Sequence, residues 1–153
     1  MQAGSGVCPL APAKGAFFWA LMTLPYRPKP GEVLICGFDD AARGVEMVKR
    51  RPVVVVSCEA SHHRNLCTVV PISTTAPVPP RSWHHPLPYL AVAGWQAKAL
   101  MWAKCDMLAT VSFERLNAPY LKSRSGGRRY QNHVLATADL EAIRRCIRAY
   151  LGL

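Results

Sequence analysis

Four consecutive valines, Val53 to Val56, follow directly on Lys49-Arg50-Arg51-Pro52. A strand with one wet face alternates apolar and polar residues, so an unbroken β-branched run predicts a strand buried on both sides. Two further segments suit its neighbourhood: Glu32 to Phe38 (EVLICGF), closed by the turn signal Asp39-Asp40, and Leu66 to Ile72, with Pro71 near its end or at a bulge. Residues 58–65 (CEASHHRN) read as a loop, and Arg43 to Arg51 as a polar, basic connection. Ser73 to Pro88 holds too much proline for a central strand throughout and reads mainly as a long connection. Another strand is expected around Leu100 to Met107, then a turn or short helix near Ser112 to Leu116, then a basic, glycine-rich and mobile stretch from Tyr120 to Tyr130.

Only the last segment is plainly helical. Leu140, Ile143, Ile147, Tyr150 and Leu151 fall on one face at helical spacing, with Arg144, Arg145 and Arg148 largely on the other. Asp139 and Glu141 near the start and arginines towards the end suit the helix dipole. Short strands followed by one terminal helix predict a mainly β, β-rich α+β fold: a small antiparallel barrel with a C-terminal α-helix over 138–151. A length of 153 residues favours one domain. We place that domain at 29–153, with a basic insertion at 117–136, and read 1–28 as a poorly ordered N-terminal extension; Met22 offers an internal start that would make the first 21 residues an upstream segment.

Half of the residues are apolar and 18% charged, which excludes a disordered polyelectrolyte. No apolar run reaches the roughly 18 residues of a membrane span, and the apolar stretch Gly15 to Leu24 lacks a small-x-small cleavage site. The six cysteines are widely spaced, several within apolar runs, and read as reduced, buried thiols in a cytoplasmic protein. A net charge of +10 favours nucleic acid or an acidic protein as partner. From Arg115 onwards, eight Lys or Arg face two acidic residues, and the cluster holding Lys122, Arg124, Arg128 and Arg129 lies between Tyr120 and Tyr130. Basic residues among aromatics neutralise phosphates and stack on unpaired bases, although such runs are also common as solvated loops.

Three distant segments bring polar groups to expected strand ends: Lys49-Arg50-Arg51-Pro52, Pro71-Ile72-Ser73-Thr74-Thr75 and Lys104-Cys105-Asp106. Converged, they would assemble a cation, hydroxyls and a carboxylate. That set suits RNA cleavage by the 2′-hydroxyl on its own phosphate, since a carboxylate orients or takes the proton while a cation stabilises the phosphorane. Each residue also has a structural reading: Arg51 as an ion-pair partner, Ser73 as a turn residue, Asp106 as a cap.

The blocks Gly31-Glu32-Val33, Gly44-Val45-Glu46, Lys49-Arg50-Arg51-Pro52-Val53-Val54-Val55, Val70-Pro71-Ile72-Ser73-Thr74 and Lys104-Cys105-Asp106-Met107 together resemble the MazF/PemK toxin ribonucleases of bacterial type II toxin–antitoxin systems. The resemblance runs over roughly residues 29–116 and more loosely the terminal helix. It implies an SH3-like barrel of the CcdB, Kid and MazF type, a homodimer, single-stranded RNA as substrate and a cognate antitoxin as competing partner, with no cofactor, metal or membrane. It also implies catalytic roles for Arg51, Ser73, Asp106, Lys104 and Thr74, with Thr75 as a substitute hydroxyl and Glu46 as a loop residue of the site; Glu46, Lys49, Arg50, Thr75, Arg124, Arg128 and Arg129 are expected to bind RNA, the last three from a basic insertion longer than in compact family members. Ser73 stands where relatives usually carry Thr, and Lys104 where a basic position is usually Arg, which keeps the charge but loses the planar fork.

Two other clusters invite attention. Cys58, His62, His63 and Cys67 lie within ten residues, and His84-His85 form a pair, but the spacing matches no familiar zinc finger or ribbon; surface histidines and strand-end thiols are the simpler account. Trp83, Trp95 and Trp102 are either core residues or base-stacking platforms, and core is the expectation for Trp102. The sequence thus points to a metal-independent endoribonuclease toxin, with a non-catalytic toxin-like barrel that binds a protein target of the topoisomerase-inhibitor type, or RNA without cleaving it, as the alternative.

Overall fold

Val53, Val54 and Val55 lose all contact with solvent, and the sheet is built around them. A computed structural model describes residues 24–38, 49–88, 90–95 and 100–153. Strands β1 (Val33–Gly37), β2 (Arg50–Val55) and β3 (Leu66–Ser73) form an antiparallel sheet, with Val33 opposite Val54 and Val53 opposite Pro71. Side chains alternate across a strand, so the sheet feeds two cores. Val33, Ile35, Val54, Val70 and Ile72 enter one; Leu34, Cys36, Val53, Val55, Cys67 and Val69 enter the other.

The far edge of β3 is divided between two partners. Its first half pairs with β6 (Ala109–Ser112) and its end with β5 (Met101–Lys104), which in turn carries β4 (His84–Leu87) as the edge strand. After β6, a 3-10 turn over Phe113–Arg115 leads into β7 (Leu116–Asn117), which pairs with β1. Ser112 Oγ starts that turn by accepting from the Glu114 N–H. Thus β6 and β7 carry the chain from the β3 edge round to the β1 edge, enclosing Val111, Phe113 and Leu116 with the second core. The result is the small antiparallel barrel expected from the sequence.

The opposite face is covered by β4, β5 and the helix α1 (Thr137–Leu151). Leu140 and Ile143 are buried and Ile147 packs beside them, whereas Tyr150 and Leu151 are exposed because the last turn runs past the core. Gly152 ends the helix in the left-handed conformation, as a residue without Cβ readily does. His85 Nε2 lies 3.0 Å from Asp139 Oδ1 and ties the helix start to β4, a use of Asp139 beyond the helix dipole.

Several elements depart from the sequence reading. The Ser73 to Pro88 stretch contains β4, and its Pro86 is tolerated because an edge strand has one side free of ladder bonds. Tyr120 to Tyr130 is a two-stranded ribbon, β8 (Tyr120–Lys122) and β9 (Arg128–Tyr130), rather than an irregular loop. Its rings cross edge to face at 5.8 Å, which aligns the two strands. Leu24 and Pro28 are buried, and Tyr26 donates a short hydrogen bond to buried Glu32, so packed structure begins a few residues before Lys29.

Ile143 has no solvent exposure and joins α1 to the sheet. Ile143→Ala is expected to lower unfolding free energy by about 2–5 kcal/mol, read from the urea midpoint, through lost burial and the cavity left behind.

Candidate active site

The alternation that sends Val53 and Val55 into the barrel also sends Arg51 to that side of β2, at the barrel's end, opposite Cys36. Ser73 follows Cys67 and Val69 on the same face of β3. Continuing the β2–β3 register by two residues sets Arg51 across from Ser73. On β5, Met101 and Ala103 point into the first core, so Trp102 and Lys104 share the face of Ser73, which is Trp102's direct partner. His84 of β4 is opposite Lys104. Arg51, Ser73, Lys104 and His84 therefore occupy one face of four adjacent strands, which span about 15 Å at normal strand spacing.

Asp106 follows β5 in a 3-10 turn over Cys105–Met107, which buried Cys105 anchors to the core. Its Oδ2 lies 3.5 Å from His84 Nε2, while its Oδ1 is buried and meets no hydrogen-bond partner among the described residues. His84 Nδ1 accepts from the Arg81 N–H, leaving Nε2 to carry the ring proton towards Asp106. Arg51 Nε is likewise buried with no hydrogen-bond partner among the described residues. Among the described residues, a guanidinium donor on β2 and a carboxylate acceptor beside His84 thus remain without a partner. Buried polar groups are almost always paired, so each such atom calls for a partner from solvent, ion or ligand; His62 Nδ1 is a third, in the turn before β3.

The hydroxyls divide their roles. Ser73 is 3% exposed, and its Oγ accepts from the Thr75 N–H at 3.1 Å, holding the turn that leaves β3. Thr74 is half-buried and Thr75 exposed. Lys49 is exposed at positive φ just before β2, and Arg50, half-buried, alternates to the face opposite Arg51. Arg124, Arg128 and Arg129 are exposed on the ribbon, where the Arg128 guanidinium sits 5.0 Å over the Tyr120 ring. Glu46 lies outside the described residues.

Trp102 corrects the core expectation: it is half-buried on the face of the candidate site, and its neighbours Met101 and Ala103 fill the core. Trp83 and Trp95 instead pack against that core. His84, considered in the sequence only as a possible metal ligand, is the residue that reasoning missed. Its contact with Asp106 depends on β4 pairing with β5, and a proline-rich stretch hid that strand.

Cys58, His62, His63 and Cys67 diverge in space. Cys58 and His63 are exposed, Cys67 enters the barrel core, and buried His62 places Nε2 2.8 Å from Ser57 Oγ. Burial holds the His62 ring below its ordinary pKa. Among the described residues, no three His, Cys, Asp or Glu side chains gather as a metal site would need. Burial pushes the Cys36 and Cys105 thiols up to about 12 and Cys67 up to about 11. Hydrogen bonds from Ser61 hold exposed Cys58 below its usual value.

The segment 29–151 matches the family of PemK-like, MazF-like toxins of type II toxin–antitoxin systems. The chain belongs to that family. A curated relative, the uncharacterised protein YifN of Escherichia coli K12, is 31% identical over 115 residues, covering 63% of this chain and 76% of YifN. Among solved structures, MazF from Deinococcus radiodurans is similar with a TM-score of 0.58 and 20% identity, covering 84% of this chain and 99% of that one. An endoribonuclease from a mycobacterial species, in complex with its cognate antitoxin, is similar with a TM-score of 0.52 and 19% identity, covering 82% and 96%. At these identities the two structures bear on the fold, which they share.

Thiolate fraction controls alkylation, so iodoacetamide on the native protein near neutral pH is expected to label Cys58 before Cys36, Cys67 and Cys105. Cys36, Cys67 and Cys105 should label after unfolding, as read by peptide mass spectrometry; equal native labelling would contradict the packing described.

Proposed function

We propose that this chain is a toxin endoribonuclease that cuts single-stranded RNA without a metal, using the 2′-hydroxyl beside the scissile phosphate as nucleophile. The observations that support the reading are two buried atoms without a partner among the described residues, Arg51 Nε and Asp106 Oδ1, together with the strand face that Arg51 shares with Ser73, Lys104 and His84, the last of which lies 3.5 Å from Asp106. Family membership supplies the biological frame of a toxin.

In this reading Asp106 Oδ1 takes the proton of the 2′-hydroxyl while His84 holds the other carboxylate oxygen in place. The freed O2′ forms a bond to phosphorus, and the bond to the departing 5′-oxygen breaks. Arg51 carries the charge that develops on the phosphorane and on that oxygen, which takes its proton from water. Preorganised cations aimed at charge present only in the transition state lower the barrier selectively. Lys104 adds positive charge, and Thr74 and Thr75, with Ser73 behind them, position the phosphate oxygens. The products are a 2′,3′-cyclic phosphate and a 5′-hydroxyl. DNA lacks the nucleophile, and single strands offer bases that are free of pairing. Lys49, Arg124, Arg128 and Arg129 bind the RNA backbone, each phosphate contact releasing counterions.

The same reading makes the protein a cytoplasmic homodimer neutralised by its own antitoxin. The mycobacterial relative solved with its cognate antitoxin supports that frame.

End-labelled RNA incubated with the purified protein in EDTA tests the proposal. Cleavage to a cyclic phosphate is expected, and Arg51→Ala should lose about 10²–10³-fold or more in rate without loss of fold. Intact RNA, or full activity in Arg51→Ala, would contradict the assignment.

A further inference from the structure

On the other side of the sheet from Arg51, a cavity of about 400 Å³ opens between the turn at residues 93–95 and the foot of the β8–β9 ribbon. Ile35 lines it together with Arg50, Gly94, Trp95, Tyr120 and Lys122. Its size falls within the roughly 300–1,000 Å³ of small-ligand clefts. Its chemistry is two aromatic rings and two cations, and none of its described lining residues is acidic.

Both rings are held in place. Trp95 packs against the first core, and Tyr120 is braced edge to face by Tyr130 at 5.8 Å with the Arg128 guanidinium 5.0 Å from its centroid. The walls also meet through backbone. Gly94 has φ +73°, and a Cβ there would stand 2.6 Å from the Tyr120 carbonyl oxygen, so only glycine lets the turn approach the ribbon this closely. Rings fixed in advance bind with little loss of side-chain entropy.

We propose that this cavity receives one unpaired nucleotide of RNA beside the cleaved bond, its base against Trp95 and Tyr120 and its phosphate on Arg50 and Lys122. The inference rests on the ribonuclease reading and adds a subsite to it. Arg50 is the residue before Arg51 in β2, so RNA engaged at Arg51 carries its flanking nucleotide round the start of that strand to the cavity. Aromatic stacking accepts any base, and the two cations hold the backbone whatever the sequence.

The test is equilibrium binding, by fluorescence anisotropy, of a short single-stranded RNA with every ribose 2′-O-methylated, compared with an abasic strand of equal length. Blocked riboses make the result independent of cleavage, so failure of this subsite and failure of the nuclease reading are separately visible. Trp95→Ala should weaken binding of the base-bearing strand about 5- to 150-fold, the equivalent of about 1–3 kcal/mol per stacked base, and leave the abasic strand unaffected. Trp95→Phe should recover most of the loss. Lys122→Ala, at an exposed position, should weaken both strands and lower the salt slope by about one. Wild-type affinity in Trp95→Ala, or equal losses on both strands, would overturn the proposal. Should Trp95→Ala fail to fold, an unchanged affinity and salt slope in Lys122→Ala would overturn it instead.

Discussion

A strand with apolar side chains on both faces has to be covered twice, and β2 imposes that demand on the whole molecule. One cover is the turn of chain through β6 and β7 that closes the barrel; the other is made by β4, β5 and α1. Burial of this kind supplies most of the driving force for folding, at roughly 25 cal/mol per Å² of apolar surface. Burial fades before Pro52, which follows the half-buried polar start of β2. Arg50 and Arg51 are therefore delivered to opposite faces of a strand whose position both cores hold.

The site inherits its rigidity from that arrangement. Ser73 ends β3 where the partner changes from β6 to β5, and Lys104 ends β5 where the chain turns into the Cys105 anchor. Each polar residue is thus within a few positions of a fully buried one. Groups fixed in this way need little rearrangement to meet a developing charge, which is how an enzyme stabilises a transition state in preference to the substrate. His84 extends the same logic, with its Nδ1 committed to a backbone amide and its Nε2 directed at Asp106.

Much of this was legible in the sequence because it rests on local patterns. The valine run announced a doubly covered strand, EVLICGF and the stretch beginning at Leu66 announced its neighbours, and the spacing of Leu140, Ile143 and Ile147 announced the helix. What was hidden depends on pairing between distant segments. Pro86 disguised β4, because proline argues against a strand unless its edge position is known, and with β4 went the His84–Asp106 contact. The ribbon was hidden by Gly126 and Gly127, which form its turn and made the whole stretch look irregular. Trp102 misled because large aromatics favour cores, whereas the register with Ser73 turns it to the other face. The resemblance to MazF/PemK toxins pointed to Arg51, Ser73 and Asp106, but the strand register is what relates the faces of the first two, and the contact with His84 is what relates Asp106 to them.

The most direct measurement is a crystal structure of the protein with a single-stranded RNA whose nucleophilic ribose lacks its 2′-hydroxyl. The account predicts a phosphate held at Arg51 Nε, with the 2′ position of the preceding ribose facing Asp106 Oδ1. RNA seated on another surface, with those two atoms still unpartnered, would contradict it.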